Sequence, residues 1–178
     1  MLLALLVLLG ALGIGWAAGG SLAALGDLTL RDARLVVVAL AVQVLGGVVG
    51  GVAYPVGLAV SALLVLGFLA RNRGIRGTGL VTLGLLSNAL VVGANGAMPV
   101  SVQASGKAGI TTQAILSGED PRHELSGPDT VVPWLADVVP VVLPWRPEVV
   151  SIGDVLVTAG LAQLVVVGMT RRRSRVAR

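Results

Sequence analysis

Long apolar stretches alternate with short polar ones along this chain: residues 1–20, 35–70, 77–95 and 151–169 are almost free of charge. A helix needs about 20 mostly apolar residues to cross a bilayer. Residues 1–20 predict one such helix. The stretch has the length of a signal peptide, but it lacks a positive segment and an A-x-A site, so it reads as an uncleaved span. Residues 35–70 are too long for one span. The segment "GGVVGGVAYPVG" (46–57) breaks them, because Gly and Pro form turns and Tyr54 suits a membrane interface. A helical hairpin follows, with spans at about 34–52 and 55–70. The doubled G-x-x-x-G there (Gly46/Gly50 and Gly47/Gly51) is a packing face, first within the protein and second as a dimer contact. Residues 77–95 and 151–169 supply a fourth and a fifth span. The expected fold is all-α: one polytopic membrane domain of five transmembrane helices with a long proline-rich extracytoplasmic loop, residues 96–150, and a basic cytoplasmic tail, residues 170–178.

Composition agrees with that pattern. The chain is 55% hydrophobic and 12% charged, with a mean hydropathy of +0.92; soluble domains carry about 25% charged residues. Glycine, present 25 times, weakens a soluble core but lets membrane helices approach closely. There is no cysteine and one histidine, which excludes disulfides, thiol catalysis and a histidine- or cysteine-based metal site. No cofactor is expected.

Charge then orients the chain. Arg31 and Arg34 lie between spans 1 and 2, and Arg71, Arg73 and Arg76 between spans 3 and 4. Arg171, Arg172, Arg173, Arg175 and Arg178 follow span 5, so ten of the 13 basic residues fall on one side. The positive-inside rule makes that side cytoplasmic and places the N-terminus outside. The expected location is the bacterial inner membrane. The tail "RRRSRVAR" is a topology anchor that also meets anionic lipid. With no folded basic face beside it, no nucleic-acid partner is expected. The expected partners are the lipid bilayer and a membrane or extracytoplasmic protein.

The outer loop holds six of the nine acidic residues and seven of the eight prolines. Loops this long are often functional. Its second half, "VVPWLADVVPVVLPWRPEVV", is apolar yet too rich in proline for a regular helix. Trp134 and Trp145 suit the headgroup level, so this half is expected to fold against the outer end of the bundle. Its first half predicts a short interfacial helix near residues 101–117.

Candidate chemistry gathers at that outer rim. Asn88 and Asn95 lie seven residues apart on one face of span 4. Ser151 and Asp154 open span 5. Intramembrane ionisable residues are functional candidates, but "SIGD" also has the form of a capping box, and a carboxylate there meets the positive end of the helix dipole, worth about 0.3–1 kcal/mol. A sharper alternative pairs Asp154 with Asp137: two close carboxylates share a proton, one serving as base and the other as acid. His123, after "EDPR", is either a surface residue or a proton shuttle folded over the rim. The candidate ligand-binding residues are therefore Asn88, Asn95, His123 and Ser151, and the candidate catalytic pair is Asp137 and Asp154.

Together, "NGAMPVS" (95–101), the lone His123, "ADVVP" (136–140) and "SIGDVL" (151–156) resemble a family of small bacterial multi-pass membrane proteins of unknown function. Its pattern is similar to N-G-x-M-P-V, then H, then G-D-x-x-P, then S-x-G-D, with Ala136 here in place of a Gly. The resemblance implies five spans and no particular activity. A second, more local resemblance is to lipoprotein signal peptidase, a membrane aspartic protease with one Asp in a V-D-F-like segment and another in F-N-x-A-D. It implies Asp137 and Asp154 as the dyad and Asn95 as an oxyanion or substrate contact. This chain departs from that enzyme in having Ser151-Ile152-Gly153 before the second Asp, no G-N-x-x-D-R stretch, and one more predicted span.

Overall fold

The computed structural model describes residues 2–49, 52–120 and 122–171. Helices occupy all the apolar stretches: α1 (Leu2–Ala17), then a short α2 (Leu22–Gly26), α3 (Arg34–Val49), α4 (Ala53–Arg71) and α5 (Thr78–Asn95), with α8 (Ile152–Thr170) after the outer segment. Two of them, α5 and α8, are long and apolar enough to cross a membrane; α1, α3 and residues 56–71 of α4 are shorter apolar helices. Large aliphatic side chains such as Leu9, Ile14, Val37, Leu40 and Leu63 point outward. Helices apolar on all sides need burial in protein or lipid.

Glycine sets how these helices meet. On the antiparallel α5–α8 seam a Cβ at Gly160 would lie 2.6 Å from the Gly77 carbonyl oxygen, and one at Gly153 would lie 2.7 Å from that of Gly84. The two contacts are seven residues apart on each helix, so they repeat on one face. Gly46 of α3 meets Gly57 of α4, where a Cβ at Gly46 would be 2.7 Å from the Ala53 carbonyl oxygen. Of the first two glycines of the doubled motif, Gly46 packs inside the chain, whereas a Cβ at Gly47 would meet nothing within 4 Å. Gly50 and Gly51, the other half, lie outside the described residues, as do Arg172, Arg173, Arg175 and Arg178 of the tail. Helix α1 lies on α8 with Gly15 against Met169, and the Ser21 amide donates to the Met169 carbonyl at 3.0 Å. At the same end, buried Asn72 staples the segment before α3 to the end of α4. Its amide accepts from Arg31 N at 2.9 Å and donates to the Arg31 and Phe68 carbonyls, each at 2.8 Å.

The expectation of an all-α chain fails in residues 96–150. A four-stranded sheet stands there, in the order β2-β1-β3-β4, from β1 (Met98–Val100), β2 (His123–Leu125), β3 (Asp137–Val141) and β4 (Glu148–Ser151). Strand β1 runs parallel to both neighbours, and β3 and β4 are antiparallel. The prolines exclude a regular α-helix in residues 131–150 and leave one 3-10 turn, Pro133–Leu135, but they do not forbid strand. β1 and β3 pair at one position only, Val100 with Asp137, so Pro140 sits where β3 has no β1 partner needing its missing N–H. A bulge between Asp137 and Val139 lets the strand bend there. The helix expected near 101–117 is also two pieces, α6 (Val102–Ala108) and α7 (Gln113–Leu116). Gly109 separates them at φ 75, a left-handed conformation that ends a helix at little cost. The sheet is tied to the bundle by Glu148, whose two carboxylate oxygens accept from Leu2 N at 2.7 Å and Leu3 N at 3.2 Å, the first turn of α1.

The glycine seam makes a clear forecast. Gly160→Ala pushes α5 from α8 and should cost about 2 kcal/mol or more, as overpacking does. Gly67→Ala on α4, whose Cβ meets nothing within 4 Å, should be neutral or stabilise by about 0.5–1 kcal/mol, since Gly in mid-helix is entropically costly. Thermal unfolding of the purified protein separates the two, and equal effects would refute the seam.

Candidate functional site

The outer end of the α5–α8 seam carries a closed ring of three polar side chains. Ser151 ends β4 and caps α8: its hydroxyl accepts from Asp154 N at 2.9 Å, and its own N–H donates to Asp154 Oδ2 at 3.2 Å. From the facing helix, Asn88 Nδ2 donates to Asp154 Oδ1 at 2.8 Å, and Asn88 Oδ1 accepts from the Ser151 hydroxyl at 2.9 Å. Gly153 makes this possible, because a Cβ there would run into the Asn88 amide. Asp154 thus combines a capping box with an interhelical bond, and each of its oxygens already has a donor.

One register step away the situation reverses. Asp137 pairs with Ser151 across the β3–β4 ladder and is only 6% exposed. Its main-chain carbonyl accepts from Ser101 N at 2.9 Å, which ties β3 to the start of α6. Its Oδ1 is buried with no hydrogen-bond partner among the protein atoms. Its Oδ2 stands 3.8 Å from Nε2 of His123. The other ring nitrogen, Nδ1, is 2.8 Å from Asp120 Oδ2, and Asp120 also takes the Arg122 guanidinium at 3.2 Å. Burial works against ionisation of Asp120, but the bonds from His123 and Arg122 outweigh it and hold its carboxyl below the usual range. Burial, and then the nearby Asp154 carboxylate, push Asp137 up to about 7, with His123 pulling weakly the other way.

Asp137 and His123 line a cavity of about 140 Å³ together with Ser105, Thr111 and Thr112. Ser105, on α6, is 2% exposed, and its hydroxyl likewise has no protein partner. Val100, Ile110, Ile115 and Val149 supply the apolar part of the wall.

The structure therefore divides the residues that the sequence grouped. Asn88, Ser151 and Asp154 form one hydrogen-bonded ring. His123 and Asp137 share the cavity beside it. Asn95 makes its bonds elsewhere: it accepts from Val131 N at 2.8 Å and donates to Val131 O at 3.0 Å, pinning the segment before β3 to the end of α5. Sequence reasoning missed Asp120 and Ser105. The three-residue spacing of Asp120 and His123 in "DPRH" was a usable signal, whereas a single serine on a seven-residue helix gave none. Among the described residues no three His, Asp or Glu side chains stand together as metal ligands.

The sequence model of a family of unknown function (DUF5317) matches residues 27–166, and the chain belongs to that family. No curated protein and no solved structure gives a significant match.

Asp137 sets a measurable pH dependence. Its carboxyl has an ordinary value of 3.8 and a folded value of about 7. The protonated form is favoured by folding, so the associated stability is complete below about pH 4 and is lost as pH rises to about 7, by a few kcal/mol. Asp137→Asn, an isostere of the protonated acid, should melt like the parent at about pH 4 and higher than the parent at about pH 8. Thermal unfolding in parallel buffers checks this; a variant less stable than the parent at both values would contradict the burial argument.

Proposed function

We propose that the chain is a multi-pass protein of the bacterial inner membrane whose outer sheet binds a small polar ligand. Five helices cross the bilayer in this reading, with the N-terminus outside and the C-terminus cytoplasmic. Support for the topology comes from Arg31, Arg34, Arg71, Arg73, Arg76 and Arg171 at the end of the bundle opposite the sheet, and from the basic sequence that follows Arg171, against Lys107, Arg122 and Arg146 on the sheet side. The observation that carries the binding role is a cavity whose wall includes both Asp137 and Ser105, two residues that each keep a buried polar atom without a hydrogen-bond partner among the described residues. Such atoms cost a fold about 1–3 kcal/mol each when nothing satisfies them. Proteins tolerate that cost mainly at functional sites. A volume of about 140 Å³ suits a small molecule, since a water takes about 30 Å³ of liquid.

A second reading, an aspartic hydrolase using Asp137 and Asp154, draws on the electrostatic effect of Asp154 on Asp137. Against it stands the engagement of both Asp154 oxygens by Asn88 and Ser151. Cleavage of a membrane-anchored substrate, lost in both Asp137→Asn and Asp154→Asn, would establish it over the binding role.

Two measurements test the leading reading. The chain has no cysteine, so single cysteines report sidedness cleanly. An impermeant maleimide applied to intact cells should label Gln113→Cys and spare Arg76→Cys until the membrane is opened; the opposite pattern inverts the topology. For the site, Ser105→Ala should leave thermal stability unchanged or raise it, by up to about 1–3 kcal/mol, because it removes a buried hydroxyl that the fold leaves unpartnered. A loss of about 2 kcal/mol would make the hydroxyl a structural element and remove half of the site.

A further inference from the structure

The cavity's chemistry is lopsided. Asp137 brings a carboxylate with one oxygen unpartnered among the described residues, the Asp154 carboxylate is near enough to oppose its charge, and Asp120 holds the far nitrogen of His123. Among the described residues no Lys or Arg side chain lines the cavity. The nearest cation on this path, Arg122, reaches outward to Asp120 and is 67% exposed. With Nδ1 of His123 facing the Asp120 carboxylate, the neutral ring keeps its proton on that nitrogen, and Nε2 is left as an acceptor toward Asp137. Asp137 Oδ1 and His123 Nε2 are thus acceptors, and the hydroxyls of Ser105, Thr111 and Thr112 accept as readily as they donate. An anion meets a carboxylate here with no compensating cation. A neutral alcohol brings one donor to a group of acceptors. An ammonium brings three donors and the opposite charge.

Deepening the small-ligand reading, on which it rests, we propose that this cavity takes a small aliphatic primary amine as its ammonium ion. The N–H groups meet the Asp137 carboxylate and His123 at the wall that Ser105 shares, and the short alkyl body lies on Val100, Ile110, Ile115 and Val149. Affinity for the cation depends on the Asp137 charge. Across the site that charge is faced by His123 from β2 and Asp154 from α8, with Asp120 behind the imidazole.

The test is saturation-transfer NMR on the purified full chain in detergent micelles at about pH 8, where Asp137 is ionised. Three probes of matched size are used: n-propylamine, n-propanol and propionate. The expected result is transfer to propylammonium that weakens at least about tenfold in Asp137→Asn, whose fold is checked by thermal unfolding, and falls in Ser105→Val. Transfer to propanol or propionate that needs Ser105, with none to propylammonium, overturns the ammonium and leaves the small-ligand site standing. Transfer that is unchanged in both variants for all three probes, or absent for all three, overturns the ammonium and the site together.

Discussion

The contact on which the rest depends is the backbone approach of α5 to α8, with Gly77 against Gly160 and Gly84 against Gly153. At that distance a side chain on one helix reaches the main chain of the other. Asn88, one turn beyond Gly84, reaches both Ser151 and Asp154. A methyl at position 153 would close that path. The start of α8 is therefore held by its own capping box and by a neighbouring helix at once. Because Ser151 is also the last residue of β4, the same contacts fix the end of the sheet.

From that fixed point the geometry of the cavity follows step by step. Ser151 pairs with Asp137, Asp137 pairs with Val100, and Met98 pairs with His123. Three short strands thus place an acid, an imidazole and the end of α5 in one layer. Ser101 caps α6 through its hydroxyl, and its amide bonds Asp137 O, which brings Ser105 over the strand. Strands of three to five residues are marginal alone. Here they hang from a helix seam at one end and from the Glu148 cap on α1 at the other.

The helices were legible because uncharged runs of helical length have few other solutions. The hairpin was legible because glycine and proline interrupt a run too long for one span. The sheet was not. β1 is the three residues "MPV", and β3 reads "DVVPV", with no alternation of apolar and polar positions to mark a strand. Proline density argued against a regular α-helix in residues 131–150, where one 3-10 turn stands, and said nothing about which extended structure would fill the rest. The capping role of Asp154 could be read from "SIGD", since a box needs only local spacing. Its bond to Asn88 could not, because that depends on the rotation of α5 about its axis. Asn95 was grouped with Asp154 by helical periodicity, but its bonds go to Val131, because the last turn of α5 meets the returning loop before it meets β4.

Two aspartates 17 positions apart are treated in opposite ways by the fold. Asp154 sits at a helix N-terminus with a donor for each oxygen, so its charge is matched where it stands. Asp137 has an imidazole at 3.8 Å on one oxygen and no protein donor on the other. Burial alone would leave such a group protonated and inert. Asp120 holds His123 at 3.8 Å from the other oxygen, which leaves Oδ1 unsatisfied among the described residues. Protein groups therefore complete one aspartate and stop one bond short at the other. The difference between the two is set by the strand register that turns Asp137 toward α6 and away from the ring at the head of α8.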